Sequence, residues 1–470
     1  MSKVRVRFAP SPTGHLHIGG VRTAIFNWLY ARHFHGTFLI RIEDTDVQRS
    51  TKEYLNSQLA SLKWMDLEPD ELLVYQMSRI EQHRHNASQL MQAGYAYPCF
   101  CVARDAQDVV EQLEQGVGQK YDGACRNKPW TQQDLQKPHA IRFKIPADCQ
   151  TIEFTDAIRG LISIKVEQLD DFVIMRQDGT PIYNFCVVVD DIAMQITHVI
   201  RGEDHISNTF KQILLYHALG ASCPVFAHLP LILGKSGNKL SKRDAAVSVE
   251  EYRQQGFMPE ALSNYLVRLG WSHGDQEIFT RDQLVQMFLL DDVGKKGAIF
   301  DTAKLEWLNG VYIRNASCKR IMECIQQMDE KKAQEVQQLW PEEGLLDRLI
   351  ELYKQRVITL KQLCEDIIAF ARDPKSYDVG LIAKWRSDHT KKMLHDFVAI
   401  LEVTGSADHT VLLEQAKEIC EQFQEKLVSL AQPLRLAMTG GIQSPGVFEL
   451  LQVLGAKRAL TRISALLEQL

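Results

Sequence analysis

The stretch that most constrains the fold of this chain reads RFAPSPTGHLHIGG and runs from Arg7 to Gly20. A short strand of alternating apolar and basic residues leads into it, and a helical pattern begins at its last glycines. Glycines at a strand-to-helix turn let backbone N–H groups approach an anion, and the helix adds its positive N-terminal end. The stretch therefore predicts an α/β sheet whose first turn binds phosphate.

The chain before Tyr95 alternates strand patterns with helix patterns. The strands are KVRVRF and TFLIRI, and the helices are GVRTAIFNWLYARHF, TKEYLNSQLASLKWM and SRIEQHRHNASQLMQAG. Continuous apolar strands separated by helices are typical of a parallel sheet covered by helices. We therefore predict an α/β fold with a Rossmann-type, doubly wound domain, of which residues 1–95 form the first half.

The pattern changes over residues 96–190, where short strands and turns predict an inserted α+β domain. Its segments are AIRFKI, LISIKV and FVIMRQDGTPIYNF, the last with a turn signal at Asp178–Gly179. The α/β pattern returns over residues 191–235, with the strand ITHVIRG, a helix that Gly220 ends, and the strand VFAHLPLIL. These segments predict the second half of the doubly wound domain.

A glycine- and lysine-rich loop, GKSGNKLSKRDAAVS, follows from Gly234 to Ser248 and leads into a further predicted region, residues 236–320. Residues 321–470 have helical periodicity almost throughout, for example in LLDRLIELYKQRVITLKQLCEDIIAFA and AKEICEQFQEKLVSLA. The sequence therefore predicts a separate all-α domain at this end.

Bulk properties limit the function classes. The 470 residues carry a formal net charge of -5, so a polynucleotide partner would need a local basic face. No secretory signal and no apolar run long enough to cross a membrane is found, and the 10 cysteines are scattered. We therefore expect a cytoplasmic protein with reduced thiols and no membrane partner.

Two short motifs carry a family resemblance. In the turn, His17, Ile18 and Gly19 resemble the HIGH signature of class I aminoacyl-tRNA synthetases, with Gly20 in place of the second histidine. KLSKR at Lys239–Arg243 resembles their KMSKS signature. The segments FAPSPTGHLHIGG and RIEDTD narrow the resemblance to bacterial-type glutamyl-tRNA synthetases. This resemblance extends over the whole chain.

The resemblance implies a role for each region. The two halves of the doubly wound domain would be catalytic, the insertion would bind the tRNA acceptor stem, residues 236–320 would contact the stem, and residues 321–470 would bind the anticodon. The implied reaction is ATP-dependent attachment of L-glutamate to tRNA-Glu through glutamyl-adenylate, with Mg²⁺, by a monomer.

Phosphate chemistry assigns the first set of residues. In activation, a carboxylate attacks the α-phosphorus of ATP, and the developing negative charge needs fixed cationic or hydrogen-bonding groups. His17 is placed to donate to phosphate oxygens, and Lys242 to follow the leaving pyrophosphate; we predict both as catalytic. The resemblance implies ATP binding by Thr13, His17, Gly19, Lys239 and Lys242. The alternative is a solvated loop and a capping histidine.

Glutamate chemistry assigns the second set. Two carboxylates require arginine, and Arg7 and Arg201 end two predicted strands, where open α/β sheets bind ligands. By resemblance Ser11, Glu43 and Tyr183 join them, with Glu43 as the acceptor of the ammonium group.

The acidic residues of RIEDTD have an alternative interpretation, because EDTD before a helix is also good N-cap chemistry. We predict Asp44 and Asp46 to be structural. Arg5 and Arg41 are predicted to be ordinary strand residues that face away from the site.

Three cysteines, Cys99, Cys101 and Cys125, predict a structural Zn²⁺ site, which needs four ligands. Zinc-binding relatives often place a histidine two residues past the third cysteine, where this chain has Asn127. Tyr121 is the favoured fourth ligand, His139 is another candidate, and free thiols are the alternative.

The helical tail carries one predicted specificity residue. YKQRVITLKQL resembles the anticodon-reading helix of the family, with Arg356 at the position associated with rejecting a wrong third base. DTAKLEWLNGVYI, with Trp307, is predicted to be mostly core.

Other functions compete with this assignment. They are an enzyme that also charges tRNA-Gln, a shortened paralogue that glutamylates a tRNA base, a glutaminyl enzyme, a non-catalytic tRNA-binding protein and a small nucleotidylyltransferase. The helical tail disfavours the shortened, glutaminyl and nucleotidylyltransferase alternatives, and the intact signatures disfavour the non-catalytic one.

Overall fold

A computed structural model describes residues 3–46, 48–101, 121–240, 248–405 and 408–470. The chain divides into two compact units. The first unit is Met1–Glu250 with Ser263–Asp301, and the second is Glu251–Leu262 with Thr302–Leu470. Among the described residues, no helix combines the length and the apolar character needed to span a bilayer.

Five parallel strands form the central sheet of the first unit, in the order β10-β9-β1-β2-β3. They are β1 Arg5–Phe8, β2 Thr37–Ile42, β3 Val74–Tyr75, β9 His198–Gly202 and β10 Val225–Leu229. The chain extends from β1 to one side first and later returns to the other side with β9. The adjacent strands β1 and β9 therefore form the switch point at which open α/β sheets bind ligands. The predicted α/β fold is confirmed.

Helices lie between these strands along the chain, namely α1 Ile18–His33, α2 Lys52–Trp64, α3 Ile80–Gln92, α4 Tyr183–Ala193 and α5 Ile206–Ala218. After β10 follow α6 Val249–Gln254, α7 Pro259–Arg268 and α8 Arg281–Met287. Helix α1 packs against β1, β2 and β9 through side chains such as Val21, Ile25 and Phe26, which are fully or almost fully buried. This packing fixes the N-terminus of α1 beside the end of β1.

The remaining strands of this unit form smaller sheets. They are β4 Ala96–Cys99, β5 Ala140–Phe143, β6 Thr151–Asp156, β7 Gly160–Lys165, β8 Val173–Met175, β11 Ile232–Leu233 and β12 Ala298–Ile299. Strands β4, β5 and β8 form an antiparallel sheet, β6 and β7 a hairpin, and β11 pairs with β12. The strands predicted in AIRFKI and LISIKV are confirmed.

Two strand predictions are wrong in part. FVIMRQDGTPIYNF is a strand only to Met175; after a turn with φ of +80° at Gly179, helix α4 begins at Tyr183 and crosses the expected boundary at residue 190. VFAHLPLIL divides into β10 and β11 at Pro230, which has no N–H to donate. The domain boundaries themselves stay predictions.

The second unit is helical in its described residues. Its later helices are α9 Thr302–Asn315, α10 Cys318–Met328, α11 Glu330–Leu339, α12 Leu345–Tyr353, α13 Leu360–Ala371, α14 Val379–Trp385, α15 Asp388–Thr404, α16 His409–Gln422, α17 Val428–Thr439, α18 Val447–Leu454 and α19 Ala456–Leu467. One apolar cluster, which includes Leu349, Leu363, Phe397 and Leu434, joins most of them. The predicted helical tail is confirmed, although Trp307 is 46% exposed rather than core.

Candidate active site

The loop after β1 is held in place from α2. The buried Gln58 side chain donates from Nε2 to Ser11 O at 3.0 Å and to Gly14 O at 2.7 Å. The side chains of Ser11 and Thr13 stay exposed on this loop. The side chain of Gln58 therefore fixes the backbone of the predicted phosphate turn, while the side chains of Ser11 and Thr13 remain accessible.

His17 caps the N-terminus of α1. Its Nδ1 accepts the N–H of Gly20 at 3.3 Å, which places the ring proton on Nε2. Burial and then the charge of Lys239 lower the pKa of His17, and Asp204 opposes them. The ring is therefore neutral near pH 7, with an Nε2–H that can donate to a phosphate oxygen.

Gly19 lets the His17 ring lie on the end of the helix. A Cβ at Gly19 would come within 3.2 Å of two ring atoms of His17. Ser248 forms a β-bridge with His17, and Val249 N donates to Leu16 O at 2.9 Å. The chain segment that follows KLSKR thus lies at the same turn. Lys242 itself falls outside the described residues.

Four buried charged side chains form a network where β1 and β2 end; they are Arg7, Arg41, Glu43 and Asp191. Arg7 Nε lies 3.1 Å from Asp191 Oδ1, and Arg41 Nη1 donates to the same carboxylate. Arg41 Nη2 donates to Glu43 Oε1 at 3.3 Å. Burial raises the pKa of Glu43, although Arg41 and Arg7 oppose the rise. Asp191 therefore anchors two arginines.

The prediction that Arg41 faces away from the site is wrong, because Arg41 is fully buried and donates to Asp191 and Glu43. Arg5 is an ordinary strand residue, as predicted. Its Nε donates to Met194 O at 3.0 Å, and its Nη1 donates to Glu71 Oε1 at 2.7 Å in a partly exposed ion pair. Residues two apart on a strand share a face, and Arg41 stands two residues before Glu43.

Asp44 and Asp46 make structural contacts, as predicted, but they do not cap α2. Asp44 Oδ1 accepts the N–H of Met77 at 2.9 Å, and Asp46 accepts from the backbone and the side chain of Arg49. Thr51 is the N-cap of α2.

Arg201 lies at the end of β9 and is 5% exposed. Its Nε donates to His228 Nε2 at 3.2 Å, and its Nη2 donates to Thr209 Oγ1 at 2.7 Å and to Gln212 Oε1 at 2.8 Å. Within the described chain, its buried Nη1 has no hydrogen-bond partner. This nitrogen is therefore available to a bound anion.

Tyr183 lies within the electrostatic field of Glu43 and of the two arginines. Burial and then the charge of Glu43 raise the pKa of Tyr183 to about 12, against the opposing charges of Arg201 and Arg7. The Tyr183 hydroxyl lies 3.1 Å from His205 Nδ1. The structure thus brings together four of the five residues predicted to bind glutamate.

The short turn Glu203–His205 after β9 joins this crevice to the phosphate turn. His205 contacts Tyr183, while Asp204 Oδ2 lies 3.4 Å from Lys239 Nζ, and both of these charges act on His17. An acidic amino acid and a nucleotide phosphate could therefore lie side by side.

The three cysteine thiols form one cluster. The sulfur atoms of Cys99, Cys101 and Cys125 all lie within 4.8 Å of one another. The Tyr121 hydroxyl lies 3.5 Å from Cys99 Sγ and accepts the N–H of Cys125 at 2.9 Å. Three cysteine thiolates are ligands typical of a tetrahedral structural Zn²⁺ site, and the Tyr121 oxygen lies next to them at the position of a fourth donor.

The other two candidate ligands are placed differently. His139 Nδ1 lies 2.8 Å from Lys137 O, and the ring packs on Phe100. Asn127 is exposed. Among the described histidines, cysteines and acidic residues, the cluster of potential ligand atoms does not include His139.

Arg356 lies on the turn between α12 and α13, so YKQRVITLKQL, which resembles the anticodon-reading helix, is not helical at Arg356. Its N–H bonds to Tyr353 O at 3.0 Å, and its side chain is exposed. Burial lowers the pKa of Arg435, and the charge of Arg356 lowers it further. Arg356 on the turn and Arg435 on α17 are therefore neighbouring cations.

Comparison with known proteins decides the family. Residues 3–307 match the family described as "tRNA synthetases class I (E and Q), catalytic domain", and residues 322–467 match the family described as "Anticodon binding domain". Proteins named glutamate–tRNA ligase from Trichlorobacter lovleyi and Geobacter sulfurreducens are each 43% identical to this chain over 98% of both lengths. The chain belongs to the glutamate–tRNA ligase family.

Solved structures of the same family are similar throughout. A glutamate tRNA ligase from Elizabethkingia meningosepticum, in complex with its amino acid, has a TM-score of 0.87 and 31% identity, covering 99% of each chain. A glutamate-tRNA synthetase from Elizabethkingia anophelis has a TM-score of 0.83 and 31% identity, covering 99% of this chain and 100% of that one.

Sequence reasoning missed several residues of this crevice, namely Arg41, Asp191, Asp156, Thr209, Gln212 and His228. A signal existed for Asp191, because the acid pair VVVDDIA interrupts an apolar helix, and acids are seldom buried without partners. The strand alternation around Glu43 was the signal for Arg41. His228 gave none, because a histidine in an apolar strand is usually an ordinary core residue.

Proposed function

We propose that this protein attaches L-glutamate to tRNA-Glu through a glutamyl-adenylate, with ATP as the second substrate. The observation that carries the proposal is the crevice at the ends of β1 and β9, where Arg7, Arg201, Glu43 and Tyr183 meet beside the His17 turn. Two fixed cations and one carboxylate complement the two carboxylates and the ammonium group of glutamate.

Arg201 and Arg7 would bind the carboxylates of glutamate. Arg201 offers the buried Nη1, and Arg7 is pinned to Asp191 through Nε and Nη2. Glu43 would accept the ammonium group, and Ser11 would add a polar contact from the loop above. Two bound carboxylates favour a dicarboxylic amino acid over a neutral one.

Activation follows from positioning and charge. The substrate α-carboxylate attacks the α-phosphorus, the bond to pyrophosphate breaks, and pyrophosphate leaves with its charge. The His17 Nε2–H would donate to a phosphate oxygen, and the N-terminus of α1 adds a positive end. Thr13, Gly19 and Lys239 would contact ATP with its Mg²⁺, and Lys242 would follow the pyrophosphate. The terminal 2′-hydroxyl of tRNA then attacks the acyl carbon of the adenylate and loses its proton, the bond between that carbon and the phosphate oxygen breaks, and AMP leaves.

Two features of the chain, the cysteine cluster and Arg356, would contribute to tRNA recognition. We assign Zn²⁺ to Cys99, Cys101, Cys125 and Tyr121, where it would fix the fold of the predicted acceptor-binding domain and take no part in the reaction. Arg356 on its exposed turn would read an anticodon base. The cytoplasmic location and the monomeric state stay predictions.

Charging of tRNA-Gln is a second candidate activity, because the matched catalytic family covers both E and Q enzymes. Aminoacylation of purified tRNA-Glu and tRNA-Gln, side by side, separates the two. Charging of tRNA-Glu alone supports the main proposal, and charging of both supports the second.

Glutamate-dependent exchange of pyrophosphate into ATP tests the chemistry further. Exchange that appears only with tRNA supports the proposal. Exchange without tRNA and without charging would favour a small-molecule nucleotidylyltransferase. Neither exchange nor charging with any tRNA would favour a non-catalytic tRNA-binding protein.

A further inference from the structure

The guanidinium group of Arg201 is held on two of its three nitrogens. A guanidinium has five N–H donors. The single donor of Nε goes to His228, and the two donors of Nη2 go to Thr209 and Gln212. Both donors of Nη1 are buried and unpaired within the described part of the chain. Nη1 is therefore the nitrogen of Arg201 that remains available to a bound anion.

His228 lies beside Arg201 in the sheet, since the two residues are register partners on β10 and β9. The ring is fully buried. Its Nε2 accepts from Arg201, so the ring proton must be on Nδ1. That nitrogen lies 2.6 Å from Asp156 Oδ2. Asp156 therefore sets the tautomer in which His228 can accept from Arg201.

Asp156 is itself fixed. It ends β6 and is 2% exposed, and its Oδ1 accepts the N–H groups of Ile158 and Arg159 at 2.9 Å each. Burial favours the neutral acid, but the hydrogen bonds from His228 and the backbone hold the pKa of Asp156 below its usual range. Burial also lowers the pKa of His228. A carboxylate anion thus faces a neutral imidazole.

We infer that His228, oriented by Asp156, is a positioning residue for glutamate recognition: it holds Arg201 so that Nη1 meets a substrate carboxylate. The inference rests on the proposed function for its substrate. His228 itself would touch neither glutamate nor ATP. Without the acceptor at Nε2, the buried Nε–H of Arg201 would lose its partner, and the guanidinium would turn to find another.

Two substitutions separate positioning from folding. Asparagine places its amide near the position of Nδ1 and glutamine near that of Nε2. His228→Asn therefore keeps a contact with Asp156 and loses the acceptor for Arg201, whereas His228→Gln keeps that acceptor. We expect His228→Asn to raise the glutamate KM about ten- to hundredfold, with kcat and the ATP KM nearly unchanged, and His228→Gln to restore most of the glutamate affinity.

His198→Asn is the matched control. His198 lies on β9, the strand of Arg201, but it contacts Tyr30 and Thr197 instead of Arg201. His198→Asn should leave the glutamate KM at the wild-type value. Asp156→Asn, which permits both tautomers of His228, should raise the glutamate KM. The Asp156 variant also keeps the test available if His228→Asn fails to fold.

Steady-state aminoacylation of tRNA-Glu is the assay. A wild-type glutamate KM in both His228→Asn and Asp156→Asn would overturn the inference, as would equal rises in the glutamate and ATP KM values. In either case, a wild-type enzyme that charges tRNA-Glu leaves the proposed function standing. If the wild-type protein charges no tRNA with glutamate, the proposed function fails, and the inference fails with it.

Discussion

At the residue scale, the crevice depends on buried charges that neutralise one another. Asp191 is 2% exposed and pairs with both Arg7 and Arg41. Burial pushes the pKa of Asp191 upward, but the two arginines hold it below its usual range. Removing one member of a buried ion network leaves the others unpaired, which destabilises more than loss of an exposed pair.

Asp191→Asn should therefore lower the free energy of unfolding by about 3 kcal/mol. It should also raise the glutamate KM, because Arg7 loses its anchor. Chemical denaturation followed by circular dichroism measures the first effect. Asp46→Asn, at an exposed pair with Arg49, is the control and should change stability little. Equal stability of the two variants would contradict this account.

Glutamate affinity should depend on pH through Glu43. Burial raises the pKa of this carboxyl above its ordinary value, and only its ionised form can accept the ammonium group. Affinity is then complete above that raised pKa and is lost as the pH falls through it. The glutamate KM should therefore rise as the pH falls through the raised pKa of Glu43, the ATP KM should not, and Glu43→Gln should remove this dependence. A pH-independent glutamate KM would contradict the role of Glu43.

Sequence reasoning reached the residues whose position follows from the backbone. Arg7 and Arg201 end parallel strands, so the sheet itself brings them to one edge. Arg41, Asp191 and His228 could not be assigned with the same rule, because their roles depend on which side chains meet across helices and strands. Motif resemblance supplied Glu43 and Tyr183.

At the element scale, the turn that carries Arg356 shows how periodicity misleads. Val357 and Leu360 are buried and keep an apolar spacing across the break, so the sequence suggests one helix. The buried Asn309 instead donates to Ile358 O at 2.7 Å and accepts the N–H of Met258. These tertiary contacts, which no local pattern shows, stabilise the turn, and Thr359 caps the next helix.

Gly256→Ala should disrupt this element. Gly256 has φ of +85°, and an added Cβ would collide with the backbone N of Lys361 and lie 2.9 Å from Leu360 N. We expect a loss of about 2 to 5 kcal/mol in stability, measured by thermal or chemical unfolding. Gly344→Ala is the matched control, since Gly344 has φ of +79° with open space around it. If Gly256→Ala lost no more stability than Gly344→Ala, the close approach of Gly256 to the backbone of Leu360 and Lys361 would not be what limits this position.

At the scale of the whole molecule, the order of the segments was predictable, and their limits were not. The strand and helix patterns predict the parallel sheet, and the paired signatures predict a chain that belongs to the glutamate–tRNA ligase family. Helix α4 crosses the boundary expected at residue 190, because the segment from Tyr183 packs as a helix against α3 and α5. Such packing is a long-range property that composition does not encode.

The purified protein should contain about one zinc per chain, measured by elemental mass spectrometry. Cys125→Ser should lose the metal and lower the melting temperature, because a structural site stabilises the domain that holds it. Cys149→Ser is the control, because its sulfur lies outside the cluster and contacts Thr151 O. Wild-type protein without zinc, prepared without chelators, would contradict the assignment.

The glutamate KM of Arg201→Ala, measured in aminoacylation of tRNA-Glu beside the ATP KM, tests the central claim most directly. If the crevice at the ends of β1 and β9 binds the substrate carboxylate, the glutamate KM should rise about a hundredfold or more while the ATP KM stays near the wild-type value. An unchanged glutamate KM would show that the amino acid binds elsewhere.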